Sequence, residues 1–179
     1  MAPLQRFDDR YWIDHQIDRL MSFGHAVTVV LGGESAEEIL IKSESLIRAE
    51  LVFDTNGVNT SLYTNIQAGV FAVENFACTL PIDVPCPDRI IWDRLRHHYV
   101  KLGNNSPVEW VQSYSIVSGH AIPTHPSLVT FKGIHSIRNG MFSETGPMTL
   151  VQSSFPILNP LQDAPSFYDE MSGKGLTQA

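Results

Sequence analysis

A chain of 179 residues, 43% of them hydrophobic, is long enough to bury one sizeable core and short for two. Its formal net charge of −7 excludes a general attraction to nucleic acid unless the basic residues are gathered on one face. No run approaches the eighteen apolar residues of a membrane span, and the acidic opening MAPLQRFDDR does not read as a secretory leader, so the expectation is a soluble chain made in the cytoplasm.

The first element follows Asp8 and Asp9. In RYWIDHQIDRLMSF, Ile13, Ile17 and Leu20 share a helical face, and Gly24 stands where a helix would stop. Asp14 and Asp18 lie one turn apart and read as an exposed acidic face interrupted by Arg19. The β-branched run AVTVVL then predicts a buried strand closed by Gly32 and Gly33. Glycines after a strand are the setting of a phosphate cradle, but both G-x-G-x-x-G and G-x-x-x-x-G-K-[ST] are missing, so a tight turn is the reading.

From Ser35 to Phe53 two signals compete. Ser35 with Glu38 fits a capping box, whereas Ile39, Ile41, Ile47, Ala49, Leu51 and Phe53 alternate with charged neighbours; the expectation is at most a helical turn followed by strand. DTNG, residues 54–57, supplies turn chemistry, and residues 66–79 read as a long strand with a bulge at Gly69. Cys78 and Cys86 match no zinc spacing and are expected to be buried free thiols.

Cys86 to Gly103, CPDRIIWDRLRHHYVKLG, carries the clearest local signal. Pro87 and Asp88 suit a helix start, Ile91, Leu95, His98 and Leu102 recur along one face, and Gly103 suits the stop. Adjacent His97 and His98 point in different directions, which argues against a shared metal. Strands are expected at VEWVQSYSIV, SLVTFKGIHSI and MTLVQSSF, with Asn139-Gly140 as a turn. These elements predict an α+β fold: a single domain over residues 1–155, its mostly antiparallel sheet packed by two amphipathic helices. From Pro156 to Ala179, three prolines and no sustained periodicity predict an extended C-terminal arm. Its apolar residues Ile157, Leu158, Leu161, Phe167, Tyr168 and Met171 are the anchors by which the arm would dock on a neighbouring subunit.

No nucleophile elbow or triad spacing is present. His120, His125 and His135 are the weak candidates for metal ligands, but their spacing is not diagnostic, so neither a metal nor another cofactor is expected. Only 17% of residues are charged and four are lysines, which makes a surface suited to contact with other subunits. On this basis the chain reads as a non-enzymatic structural subunit of an ordered assembly, a virion component such as a phage head, neck or tail protein, with protein subunits as partners and neither membrane nor nucleic acid. The alternative is a small-molecule enzyme or binding protein with a pocket lined by histidines and aromatics.

Overall fold

A computed structural model of the chain describes residues 2–54, 62–71, 73–103, 106–117, 120–141 and 148–152. A 3-10 turn, Ala2–Leu4, leads into a two-residue hairpin of β1 (Arg6–Phe7) and β2 (Arg10–Tyr11), then α1 (Trp12–Ser22) and β3 (Thr28–Gly32). Next come α2 (Ala36–Lys42), a 3-10 turn (Ser45–Arg48), β4 (Glu50–Asp54), α3 (Leu62–Val70), β5 (Ala77–Thr79) and α4 (Arg89–Leu102). β6 (Trp110–Val117), β7 (His120–Val129), α5 (Phe131–Arg138) and β8 (Met148–Gln152) complete the described elements.

β3 and β4 pair in parallel, with Gly32 opposite Asp54 at their carboxyl ends. A second sheet has the order β5-β7-β6-β8, antiparallel except for the parallel pairing of β6 with β8. Both sheets are covered on both faces, as strand alternation shows. Val111 and Leu128 pack with Leu95 of α4, while their neighbours Trp110 and Val129 pack with Ile66 and Val70 of α3 and with Ile134 and Ile137 of α5. In the first sheet Leu31 packs with Ile13 and Ile17 of α1, whereas Val30 lies under α3, where a Cβ built on Gly69 would sit 2.9 Å from its Cγ2. Arg19 of α1 pairs with Asp88 at 2.8 Å and His25 meets the Trp92 ring at 5.6 Å, so α1 and α4 adjoin on one face. The fold is thus a mixed α+β domain in three layers.

α1 and α4 are the two helices that apolar periodicity predicts. The opposite layer is the difference. Residues 66–79 are not one strand: Ile66 and Val70, four apart, face the core from α3, and only Ala77–Thr79 is strand. SLVTFKGIHSI is a strand only to Val129, after which Thr130 caps α5 by accepting a hydrogen bond from the Gly133 N–H at 3.1 Å. Both segments are short and apolar, so alternation matched them as well as helical spacing did. Between Ser35 and Phe53 the helical signal runs further than expected, through all of α2.

Asp14 and Asp18 are not a solvated face. Asp14 is 2% exposed and accepts from the Ser43 hydroxyl at 2.6 Å and the Ser45 N–H at 2.9 Å. Asp18 pairs with Arg10 at 2.6 Å and with Arg48. Both cysteines are free, Cys86 buried and Cys78 exposed on β5. Among the described residues no helix is long and apolar enough to cross a membrane. The arm, its anchors Ile157, Leu158, Leu161, Phe167, Tyr168 and Met171, and most of the DTNG turn lie outside the described residues.

Candidate functional site

α4 runs back along the sheet, its Tyr99 ring 5.1 Å from that of Phe76 just before β5, so its N-terminus lies at the carboxyl end of β5. Ile82, in the segment that leaves β5, packs into the cluster that contains Leu31, and Gly32 and Asp54 stand opposite one another where β3 and β4 end. In open α/β sheets ligands bind outside such ends. The rim here is made by Gly33, with φ of 74°, by Asp54 at the end of β4, and by residues 80–87 after β5.

This last segment, LPIDVPCP, is rigid by sequence and by contacts. Pro81, Pro85 and Pro87 each fix their own φ. A turn closes from the Val84 N–H to the Pro81 carbonyl at 3.0 Å, with Asp83 inside it. α1 then holds both flanks: Trp12 Nε1 donates to the Ile82 carbonyl at 2.6 Å, Gln16 Nε2 donates to the Val84 carbonyl at 2.5 Å, and Gln16 Oε1 accepts from the Cys86 N–H at 2.8 Å. Trp92 of α4 donates to the Pro87 carbonyl at 3.3 Å. Each such bond stabilises by roughly 1 kcal/mol net, and together they fix the backbone on either side of Asp83.

A second device faces the first. β5 pairs with β7 up to Thr79 opposite Ser127, their hydroxyls 3.1 Å apart, so the turn that carries Asp83 continues beside His125 and Pro126. The β6–β7 ladder breaks at that point: Gln112 pairs with Ser127 and Ser113 with Thr124, leaving His125 and Pro126 as two extra residues on β7. A bulge of this kind re-aims a side chain. β6 clamps both ends, Ser113 Oγ donating to the Pro126 carbonyl at 2.6 Å and Gln112 Nε2 donating to the Thr124 carbonyl. The imidazole of His125 is half-buried, and its Nδ1 is enclosed with no hydrogen-bond partner among the described residues. Burial pushes its pKa below the ordinary histidine value, and the Asp83 carboxylate opposes that shift without reversing it.

The three histidines singled out from the sequence stand on two elements. His120 starts β7, His125 stands in the bulge, and His135 is exposed on α5. Among the described residues no three His, Cys, Asp or Glu side chains converge as metal ligands. Sequence reasoning passed over Asp83, although a single acid within P-I-D-V-P-C-P was a usable signal: a charge has no reason to stand in a proline-stiffened apolar loop unless the loop presents it.

The layers and their order are shared with solved structures. The chain resembles 4-diphosphocytidyl-2C-methyl-D-erythritol synthase from Anaerococcus prevotii DSM 20548, with a TM-score of 0.67 at 10% identity over 97% of this chain and 92% of that one. It also resembles the homologue of Mycobacterium tuberculosis rv0371c from Mycobacterium sp. strain JC1, with a TM-score of 0.66 at 13% identity over 96% of this chain and 88% of that one. No family model matches the sequence, and no curated protein does. At these identities the likeness is one of fold. It overturns the expectation of a non-enzymatic virion component: the mild surface that prompted it is compatible with an enzyme, and the alternative of a small-molecule enzyme is the better supported reading.

Proposed function

We propose that this chain is a small-molecule enzyme that takes a nucleotide at the carboxyl ends of β3, β4 and β5, with Asp83 as the residue that meets its phosphates. The observation that carries the reading is the position of Asp83, held between the Ile82 and Val84 carbonyls that α1 grips, at the place where sheets of this kind bind ligands. One structural neighbour is named for a product in which a cytidyl group is joined through a diphosphate to a polyol, which makes a nucleotide the first ligand to try. A carboxylate repels bare phosphate, so the nucleotide must arrive as its magnesium complex, whose cation takes hard oxygen ligands such as Asp83. What the chain supplies is placement: the turn is set before the ligand arrives, and ordering it costs nothing at the moment of binding.

The test is calorimetric titration with CTP, UTP, ATP and GTP, each with and without magnesium, with release of pyrophosphate measured in the presence of sugar and polyol phosphates. Binding of at least one nucleotide is expected only with the cation, and Asp83→Asn should weaken it by tenfold or more, equivalent to about 1.4 kcal/mol. Failure of all four to bind with magnesium, or an Asp83→Asn variant that binds like the parent, would overturn the reading.

A further inference from the structure

We infer that His125 is a specificity residue of this same site, a neutral acceptor that reads a hydrogen-bond donor, O–H or N–H, on the bound small molecule. The inference rests on the rim around Asp83 being the ligand site. Three features of the geometry lead to it. His125 stands in a bulge whose two flanking carbonyls are held by Gln112 and Ser113, so its backbone is fixed as firmly as that of Asp83. The Thr79–Ser127 register brings that bulge beside the Asp83 turn. Nδ1 is enclosed and has no partner among the described residues, and a buried polar atom without a partner carries a desolvation cost that a ligand group can relieve.

The chemistry of the pair then selects the ligand group. A carboxylate only accepts, and so does Nδ1 when the ring is neutral with its hydrogen on Nε2; a ligand amino group can donate to both, while a hydroxyl, with one hydrogen, can donate to one of them. The charge that reaches His125 is that of Asp83, while the side chains of β6 and β5 that bond the residues next to it, Gln112 and Ser113 on the Thr124 and Pro126 carbonyls and Thr79 on Ser127, are uncharged. Burial already keeps the ring neutral near pH 7. Protonation replaces the acceptor with a donor, so binding is full above the ordinary histidine value and weakens as pH falls through the lower value of the folded chain.

The donor could belong to a nucleotide, as a ribose hydroxyl or base amino group, or to a sugar or polyol phosphate. The experiment compares magnesium CTP and the other three nucleotides with ribose 5-phosphate, against the full chain and its His125→Ala and His125→Asn variants. A ligand that uses Nδ1 should bind about tenfold more weakly to His125→Ala and recover to within about threefold in His125→Asn, whose amide oxygen also accepts. A ring-nitrogen NMR titration of the unaltered protein provides a readout that needs no variant: the Nδ1 resonance of His125 should move on ligand addition. Ribose 5-phosphate binding that depends on His125, in a protein that ignores every nucleotide, supports the donor site while ending the nucleotide reading. Nucleotide binding with an unmoved Nδ1 resonance and an unaffected His125→Ala variant overturns the inference and leaves the nucleotide reading standing. If neither class of ligand binds, both fall.

Discussion

Gly133 shows how little room single residues have in this fold. A Cβ built there would lie 2.4 Å from the Glu109 carbonyl oxygen, a backbone atom that cannot step aside. Gly133→Ala is therefore expected to destabilise by about 2 kcal/mol or more despite its better helix propensity, a shift readable in a denaturant melt. Asp14 is a comparable case for polar groups. Asp14→Ala leaves the Ser43 hydroxyl and the Ser45 N–H without their acceptor inside the core and should cost about 3 kcal/mol, whereas Asp14→Asn, which keeps an acceptor oxygen, should cost less. Neither constraint was legible in the sequence. Helical spacing placed Asp14 on an outer face because the 3-10 turn that folds Ser45 over it comes from a distant segment, and pattern carries no information about that contact.

At the scale of elements, the joint between α1 and α4 is the part that holds the Asp83 turn. Gln16 bonds both the Val84 carbonyl and the Cys86 N–H, so Gln16→Leu should loosen the turn, costing about 2 kcal/mol in stability and weakening ligand affinity with it. His25 sits in the same joint, edge-on to Trp92 and Phe23, with Nε2 enclosed and without a partner among the described residues. Burial lowers its pKa, Asp93 opposes this, and Arg89 and Arg96 add to it. A histidine whose folded pKa is lowered favours folding above its unfolded value of about 6.5, and that contribution is lost as pH falls towards the folded value. Thermal melts between pH 8 and 5 should show this loss, and His25→Phe should flatten the part of the slope that His25 carries. α1 and α4 were readable because in each the apolar residues recur at helical spacing between polar ones, although in α1 the polar residues Asp14, His15 and Gln16 are themselves buried. α3 and α5 were misread because they are short: Ile134 and Ile137 define helical spacing over one turn only, too short a window to outvote the strand-like run before it.

For the whole molecule, the two sheets are not independent bodies. α3 lies on β3 and β4 and also joins the cluster that contains Trp110 and Val129, while α1 joins the first sheet to the segment after β5. Unfolding should therefore be a single cooperative transition, with far-ultraviolet circular dichroism and tryptophan fluorescence giving the same midpoint; separated midpoints would contradict the shared layers. Mixed α+β class and one core were legible from composition and from two well-marked helices. The site was not, because it depends on a register: Thr79 opposite Ser127 is what brings a proline-bounded acid and a bulged histidine to the same rim, and sequence spacing between residues 83 and 125 gives no hint of it.

The grip of α1 on the segment around Asp83 also has a kinetic meaning. A turn already locked by Trp12 and Gln16 has no opening or closing step to precede capture, so the observed association rate should rise linearly with ligand concentration and show no plateau. Selectivity at this rim would then appear as differences in residence time, with encounter itself nearly indifferent to which ligand arrives.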